Sequence, residues 1–246
     1  MPYKKGQAGK STFEMADNRY KTLIKIGVGG IVIFVIILFI FNHATALGIG
    51  GGGFLILLFL ILGFRNIFEG VLDKKGKEVK RARRGAKAEV KVDSLLDELS
   101  EDYCVLNDVE SGYGNIDHIV ISKYGGIFLI ETKSHGGRVT VENGELLLNG
   151  YPPEKNFITQ TLNNAYWLRD RVAELTGIKS WITPLIVFTN AFVPFNPPLR
   201  GIKILNKKFL VSTIEKSNTG NASNLKVWEA REIIEEGLLG ETQIPF

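Results

Sequence analysis

The sequence predicts a layered α+β, or mixed α/β, domain preceded by a helical hairpin in the membrane. No charged residue occurs from Ile26 to Phe64, a run of 39 positions. Short apolar or period-two segments then follow one another between turn residues, and after them a helical stripe leads to a buried-looking strand. Helix, several strands, helix and strand in that order describe a sheet covered by helices.

Composition agrees with one globular domain plus an apolar part. Hydrophobic residues make up 45% of the 246 residues and charged residues 23%, with a mean hydropathy of +0.07. That is too apolar for disorder and too charged for a polytopic transporter. Cys104 is the single cysteine, and His43, His118 and His135 are the only histidines, so neither an intramolecular disulfide nor a Cys/His zinc cluster can form. A reducing compartment is expected. The net charge of +4 hides an asymmetry: residues 1–91 hold 16 Lys and Arg against 6 Asp and Glu, and residues 92–246 hold 14 against 20. Overall basicity therefore says little about the globular half.

The chain divides into a basic N-terminal segment (1–22), two transmembrane helices within 23–64, a basic juxtamembrane linker (65–82), the folded domain (83–190) and a C-terminal extension (191–246). A single straight helix over the uncharged run would be nearly twice the ~30 Å hydrocarbon thickness. Two spans, about 23–41 and 47–64, fit better, with the break at Asn42–His43 or in the glycine cluster Gly48–Gly53. Ala44-Thr45-Ala46 imitates a signal-peptidase site, but cleavage there would leave a second apolar span behind an unusually long charged leader. Lysines and arginines flank both sides, from Lys4 to Lys25 and from Arg65 to Lys87. Both termini, and the folded domain, are thus expected on the cytoplasmic side of the cell membrane. Anionic lipid headgroups explain the basic run 74–91 at least as well as nucleic acid does.

In the folded part, Val92, Leu95, Leu96 and Leu99 predict a helix over about 83–99. Strands are expected at 103–109, 115–122, 127–132, 138–141 and 145–148. Asn143-Gly144 and Asn149-Gly150 suit tight hairpin turns of the primed types. Ile158, Leu162, Ala165, Leu168, Val172 and Leu175 mark a helix ending before Gly177, and Leu185–Thr189 a buried strand. Two short strands near Lys203 and Phe209 and an acidic helix over about 224–238 follow. Trp167 and Trp181 read as core residues, His118 as strand filler and His135 as an exposed turn residue.

The chemistry lies in the hairpin 116–133, where Asp117 opens one strand and Glu131 and Lys133 end the next. A buried carboxylate costs several kcal/mol unless it is paired or metal-bound. Loop parity decides whether these groups meet. An even loop, with Ser122 opposite Ile127, sets Asp117 against Thr132; an odd loop, with Ser122 opposite Gly126, sets it against Glu131 with Lys133 on the same face. Gly125 and Gly126 permit the odd, bulged turn. Two carboxylates and an ammonium on one face suit Mg²⁺ or Mn²⁺ and an attacking water, with Lys133 orienting the water and stabilising phosphoryl charge. Glu89 lies at the start of the apolar stripe of its helix, toward the sheet, and Gln160 opens the next long helix, where its amide can position a water.

The segments Gly85-Ala86-Lys87-Ala88-Glu89, Gly114-Asn115-Ile116-Asp117-His118-Ile119-Val120, Gly126-Ile127-Phe128-Leu129-Ile130-Glu131-Thr132-Lys133 and Asn156-Phe157-Ile158-Thr159-Gln160 resemble the NERD (nuclease-related) domain of the PD-(D/E)xK nuclease superfamily. The resemblance covers about 83–189 and departs at Ala88, where the family usually has glycine, and at Phe157, where proline is common. It implies a restriction-endonuclease-like mixed sheet flanked by helices. Asp117, Glu131 and Lys133 would be the metal and catalytic triplet, with Thr132 completing the candidate metal ligands and Glu89 and Gln160 as accessories. The implied activity is Mg²⁺-dependent hydrolysis of phosphodiester bonds in DNA, or less readily RNA. The alternative is a silent domain of the same fold that binds nucleic acid or a protein at the membrane.

Overall fold

The computed structural model describes residues 1–46, 52–194, 198–217 and 222–240. The chain forms two compact units, one made of Thr12–Arg83 and the other of Met1–Ser11 together with Arg84–Phe246.

The Thr12–Arg83 unit is a pair of long helices, from α1 (Lys10–Ala46) and α2 (Gly52–Leu96). They pack antiparallel. A Cβ on Gly30 would lie 2.3 Å from the Phe68 ring, Arg83 stacks on Tyr20 at 5.3 Å, and Arg19 reaches the Glu78 carbonyl at 3.5 Å. Over Lys10–His43 α1 is strongly apolar, and Ile31, Val32, Ile33, Val35, Ile36, Phe39 and Ile40 are exposed around the helix. Apolar side chains on every side of an unburied helix suit a lipid surroundings. Among the described residues this is the one helix long and apolar enough to cross a membrane. Asn42 and His43 do not break it; α1 continues to Ala46. Most of the glycine cluster, and the start of the second expected span, lie outside the described residues. The helix expected from about residue 83 is the last part of α2, because Gly70 and Gly76 are tolerated inside it and no proline stops it.

The other unit is a mixed sheet between two helical layers. Its strands are β1 (Tyr3–Lys5), β2 (Tyr103–Ser111), β3 (Gly114–Ser122), β4 (Gly126–Glu142), β5 (Glu145–Leu148), β6 (Ile182–Phe192) and β7 (Lys203–Asn206). They run in the order β1-β2-β3-β4-β6-β7, with β5 paired to the far end of β4. The β2–β3–β4 meander is antiparallel, whereas β1–β2, β4–β6 and β6–β7 are parallel. Helix α3 (Phe157–Thr176) makes the β4–β6 crossover, with Asn156 Oδ1 accepting from Thr159 N as the N-cap and Gly177 in the left-handed conformation at its end.

One face carries Leu106, Ile119, Ile121, Ile127 and Leu129 against α3 and the C-terminal helices α5 (Ala222–Glu229) and α6 (Arg231–Leu239). The other carries Val105, Val120, Phe128 and Ile130 against Val92, Leu96 and Leu99 of the α2 region and against α4 (Leu210–Glu215). Both turns read from Asn-Gly form as expected, with positive φ at Asn143, Gly144, Asn149 and Gly150.

Four expectations are corrected. Phe209 ends a 3₁₀ turn, because Asn206 Oδ1 caps Lys208 N and Leu210 and Ile214 then bury at helical spacing. The acidic helix bends at Ala230, which lets Val227 and Ile234 both reach the same core. Trp181 precedes β6 and is 75% exposed, outside the core, while Trp167 packs against it. His135 lies in a continuous β4, exposed but not in a turn.

Candidate active site

The β3–β4 hairpin has the odd loop. Ser122 pairs with Gly126, leaving Lys123-Tyr124-Gly125 as the turn, and Ser122 Oγ accepts from Gly125 N at 2.9 Å. Gly126 carries the positive φ, 85°. The ladder runs from that pair to His118↔Ile130 and ends, so the next positions are Asp117 and Glu131. On the other side of β3 the register passes from Asn107↔His118 to Val109↔Ile116 and skips Asp117, opposite Asp108 at φ 57°. Asp117 therefore stands where β3 loses its regular partners on both sides. Its carboxylate takes the place of a ladder acceptor: Oδ2 receives the Thr132 N–H at 2.6 Å.

Glu131 and Lys133, two residues apart on β4, share a face. Lys133 Nζ donates to Glu131 Oε1 at 2.6 Å, with the side chains 12% and 4% exposed. The Phe157 ring of α3 stacks on the same ammonium at 4.5 Å, and His135 lies against that ring at 5.3 Å. Among the described residues, Glu131 Oε2 and Thr132 Oγ1 are buried without a hydrogen-bond partner. Glu89, on α2, is buried. Burial, then the Glu131 carboxylate, then Glu89 hold the Asp117 carboxyl well above its ordinary range, against the pull of Lys133 and the Thr132 N–H. Three carboxylates and one ammonium thus influence one spot.

Residues 84–189 match the family model of the nuclease-related domain, NERD. The chain carries a nuclease-related domain. No curated relative and no solved structure matches the chain.

Within the NERD domain, Asp117, Glu131, Thr132 and Lys133 come together as the sequence expects, and Glu89 acts electrostatically on Asp117. Gln160 is half-buried on the first turn of α3, three residues after Phe157; its side chain makes no hydrogen bond among the described residues. Among the described residues no group of three or more His, Cys, Asp or Glu is set to hold a metal ion. Mg²⁺ needs fewer, since one or two carboxylates and several waters satisfy it. The unpartnered Glu131 Oε2 and the crowded Asp117 carboxyl are what such an ion would relieve, so the residues fit the metal that the family implies.

Sequence reasoning missed Phe157 as the companion of Lys133. It also missed that His118 is hydrogen-bonded rather than mere filler: its Nδ1 lies 2.8 Å from Asn107 Oδ1. Burial pushes His118 down to about 4, so the ring is neutral at physiological pH. No period in the sequence marks either contact.

Proposed function

We propose that this protein is a membrane-anchored nuclease that uses Mg²⁺, or Mn²⁺ in its place, to hydrolyse phosphodiester bonds of nucleic acid, DNA in preference to RNA, on the cytoplasmic side of the cell membrane. The observation that carries this reading is the convergence of Asp117, Glu131 and Lys133 at the end of the β3–β4 ladder, with Glu131 Oε2 left unpartnered.

Asp117, Glu131 and the Thr132 main chain would hold the ion, which supplies charge neutralisation at the phosphoryl oxygens and acidifies a water. Lys133 Nζ, steered by Glu131 Oε1 and the Phe157 ring, donates to a phosphoryl oxygen and stabilises the charge that builds there. Gln160 orients the attacking water from α3, and Glu89 takes part from the α2 side. The water oxygen bonds to phosphorus, the bond to the leaving oxygen breaks, and the water's proton ends on that oxygen. Exposed Arg84, Lys87 and Lys91 along α2, at the end of the basic half of the chain, offer a local phosphate grip beside residues 92–246, whose net charge is negative. Lys91 and Lys207 even crowd each other, the contact lowering Lys207 from its ordinary value.

Anchoring draws on two features. The apolar α1 suits a membrane, and the membership of both Met1–Ser11 and Arg84 onward in one folded unit supports an even number of crossings between them. Two crossings satisfy that, and the basic flanks put the folded unit in the cytoplasm, with 74–91 near anionic headgroups.

The test is the full chain in lipid nanodiscs with labelled DNA and RNA, in Mg²⁺ or EDTA. Cleavage in Mg²⁺ alone, abolished by Asp117→Ala and by Glu131→Ala, is the expected result. Nucleic-acid binding without cleavage of single-stranded, duplex or structured substrates would replace the nuclease with a binding module.

A further inference from the structure

Residues Met1–Gly9 precede α1 and Lys10–Ser11 open it, about a hundred positions from the catalytic hairpin, yet all eleven belong to its folded unit. Strand β1 adds to the edge of β2 in parallel, pairing Tyr3 with Cys104, Lys4 with Val105 and Lys5 with Leu106. Gly6, at φ 78°, then passes so near the Asn107 backbone that a Cβ there would lie 2.2 Å from its carbonyl oxygen.

Two lines of hydrogen bonds run from this segment to the residues that bracket Asp117. In the first, Lys4 Nζ donates to Asp93 Oδ1 at 2.9 Å and to the Asp93 carbonyl at 2.6 Å, and pairs with Asp97 at 2.7 Å. Asn107 Nδ2 donates to the same Asp93 Oδ1 at 2.8 Å, and Asn107 Oδ1 faces His118 Nδ1 at 2.8 Å. With the Asn107 amide donating to a carboxylate, its oxygen must accept, so His118 carries its proton on Nδ1. In the second, Asp108 accepts from Ser11 N at 2.7 Å and Ser11 Oγ at 2.5 Å, while Asn115 Nδ2 reaches Asp108 Oδ1 at 2.8 Å and Ser11 Oγ at 2.5 Å.

His118 follows Asp117, and Asn115 stands two residues before it. Asp93 is one helical turn from Glu89 on α2. Since the ladders on both sides skip Asp117, backbone pairing alone does not hold it. We propose that the segment Met1–Ser11 is a positioning element of the active site, in which Lys4 and Ser11 fix the two ends of the β3 stretch that presents Asp117. This rests on the nuclease reading above, and none of these residues touches substrate.

The test uses the full chain in nanodiscs and reads the Mn²⁺ dissociation constant by calorimetry beside the cleavage rate. Lys4→Met should weaken Mn²⁺ binding about tenfold, the low end for partners that orient metal ligands. Lys4→Arg, which keeps the donors, should restore it. Lys5→Met supplies the contrast: it removes the 2.8 Å pair with Glu235 from the same strand but lies on neither line. It should lower thermal stability and leave the Mn²⁺ constant unchanged. If Lys4→Met does not fold, Ser11→Ala, which keeps every ion pair, carries the same expectation. Wild-type affinity in Lys4→Met or in Ser11→Ala, or an equal loss in Lys5→Met, overturns the proposal and leaves the nuclease reading standing. A wild-type chain that neither binds Mn²⁺ nor cleaves overturns both.

Discussion

Replacing Lys133 by methionine removes the cation paired with Glu131 while keeping an apolar side chain of similar length against Phe157. Because Oε2 of Glu131 already lacks a partner, the variant leaves a buried carboxylate without a donor among the described residues. Breaking one side of a buried pair in this way costs about 3–5 kcal/mol. For a folded unit of this size each kcal/mol moves the melting temperature by roughly 2–4 °C, so in EDTA Lys133→Met should melt about 6–20 °C below the wild type. Divalent metal changes the comparison. Bound at 100 times its Kd, an ion stabilises by about 2.7 kcal/mol, and in the variant it meets Glu131 without a competing ammonium. The gap between the two proteins should therefore narrow in Mg²⁺, even though cleavage falls by roughly a hundredfold for want of the electrostatic stabiliser. The assay is a melt of both proteins in nanodiscs, in EDTA and in a Mg²⁺ series. Equal melting in EDTA would show that the pair does not hold Glu131, and an unchanged gap at saturating Mg²⁺ would show that the ion does not take its place.

Other outcomes follow from the same geometry. Asp117→Asn keeps an oxygen for the Thr132 N–H but ends the carboxylate crowding. The Asp117 carboxyl is raised in the fold, so the folded chain holds its proton above the unfolded value of about 3.9 and loses stability as pH rises from there. The variant should thus melt above the wild type at pH 7 in EDTA and level with it below about pH 3.5, while cleaving nothing; calorimetry across that range decides it. Glu89→Gln and Gln160→Ala should each reduce cleavage less than Asp117→Ala does, and a total loss in either would place that side chain on the reacting atoms. With buried Cys104 changed to serine, cysteines at the exposed positions Lys10 and Lys226 should resist a membrane-impermeant maleimide applied to intact cells, and labelling of one site alone would mean an odd number of crossings.

What the sequence determined by itself is local. Meeting of Asp117 with Glu131 and Lys133 follows from loop parity and the two-residue period of a strand, both legible within twenty residues. The apolar helix and the two Asn-Gly turns were legible for the same reason: each is set by neighbours in the chain. Tertiary structure decided the rest. Only folding brings Glu89 to bear on Asp117, sets Phe157 against Lys133, and lays Tyr3–Lys5 along β2, a pairing across about a hundred residues. A strand of three residues has too few positions to show a period, and a hydrogen bond such as Lys4 to Asp93 leaves no spacing to read. The ends of the β3 ladders are likewise invisible in the sequence, because where pairing stops depends on how neighbouring strands twist apart once the helices are packed on both faces.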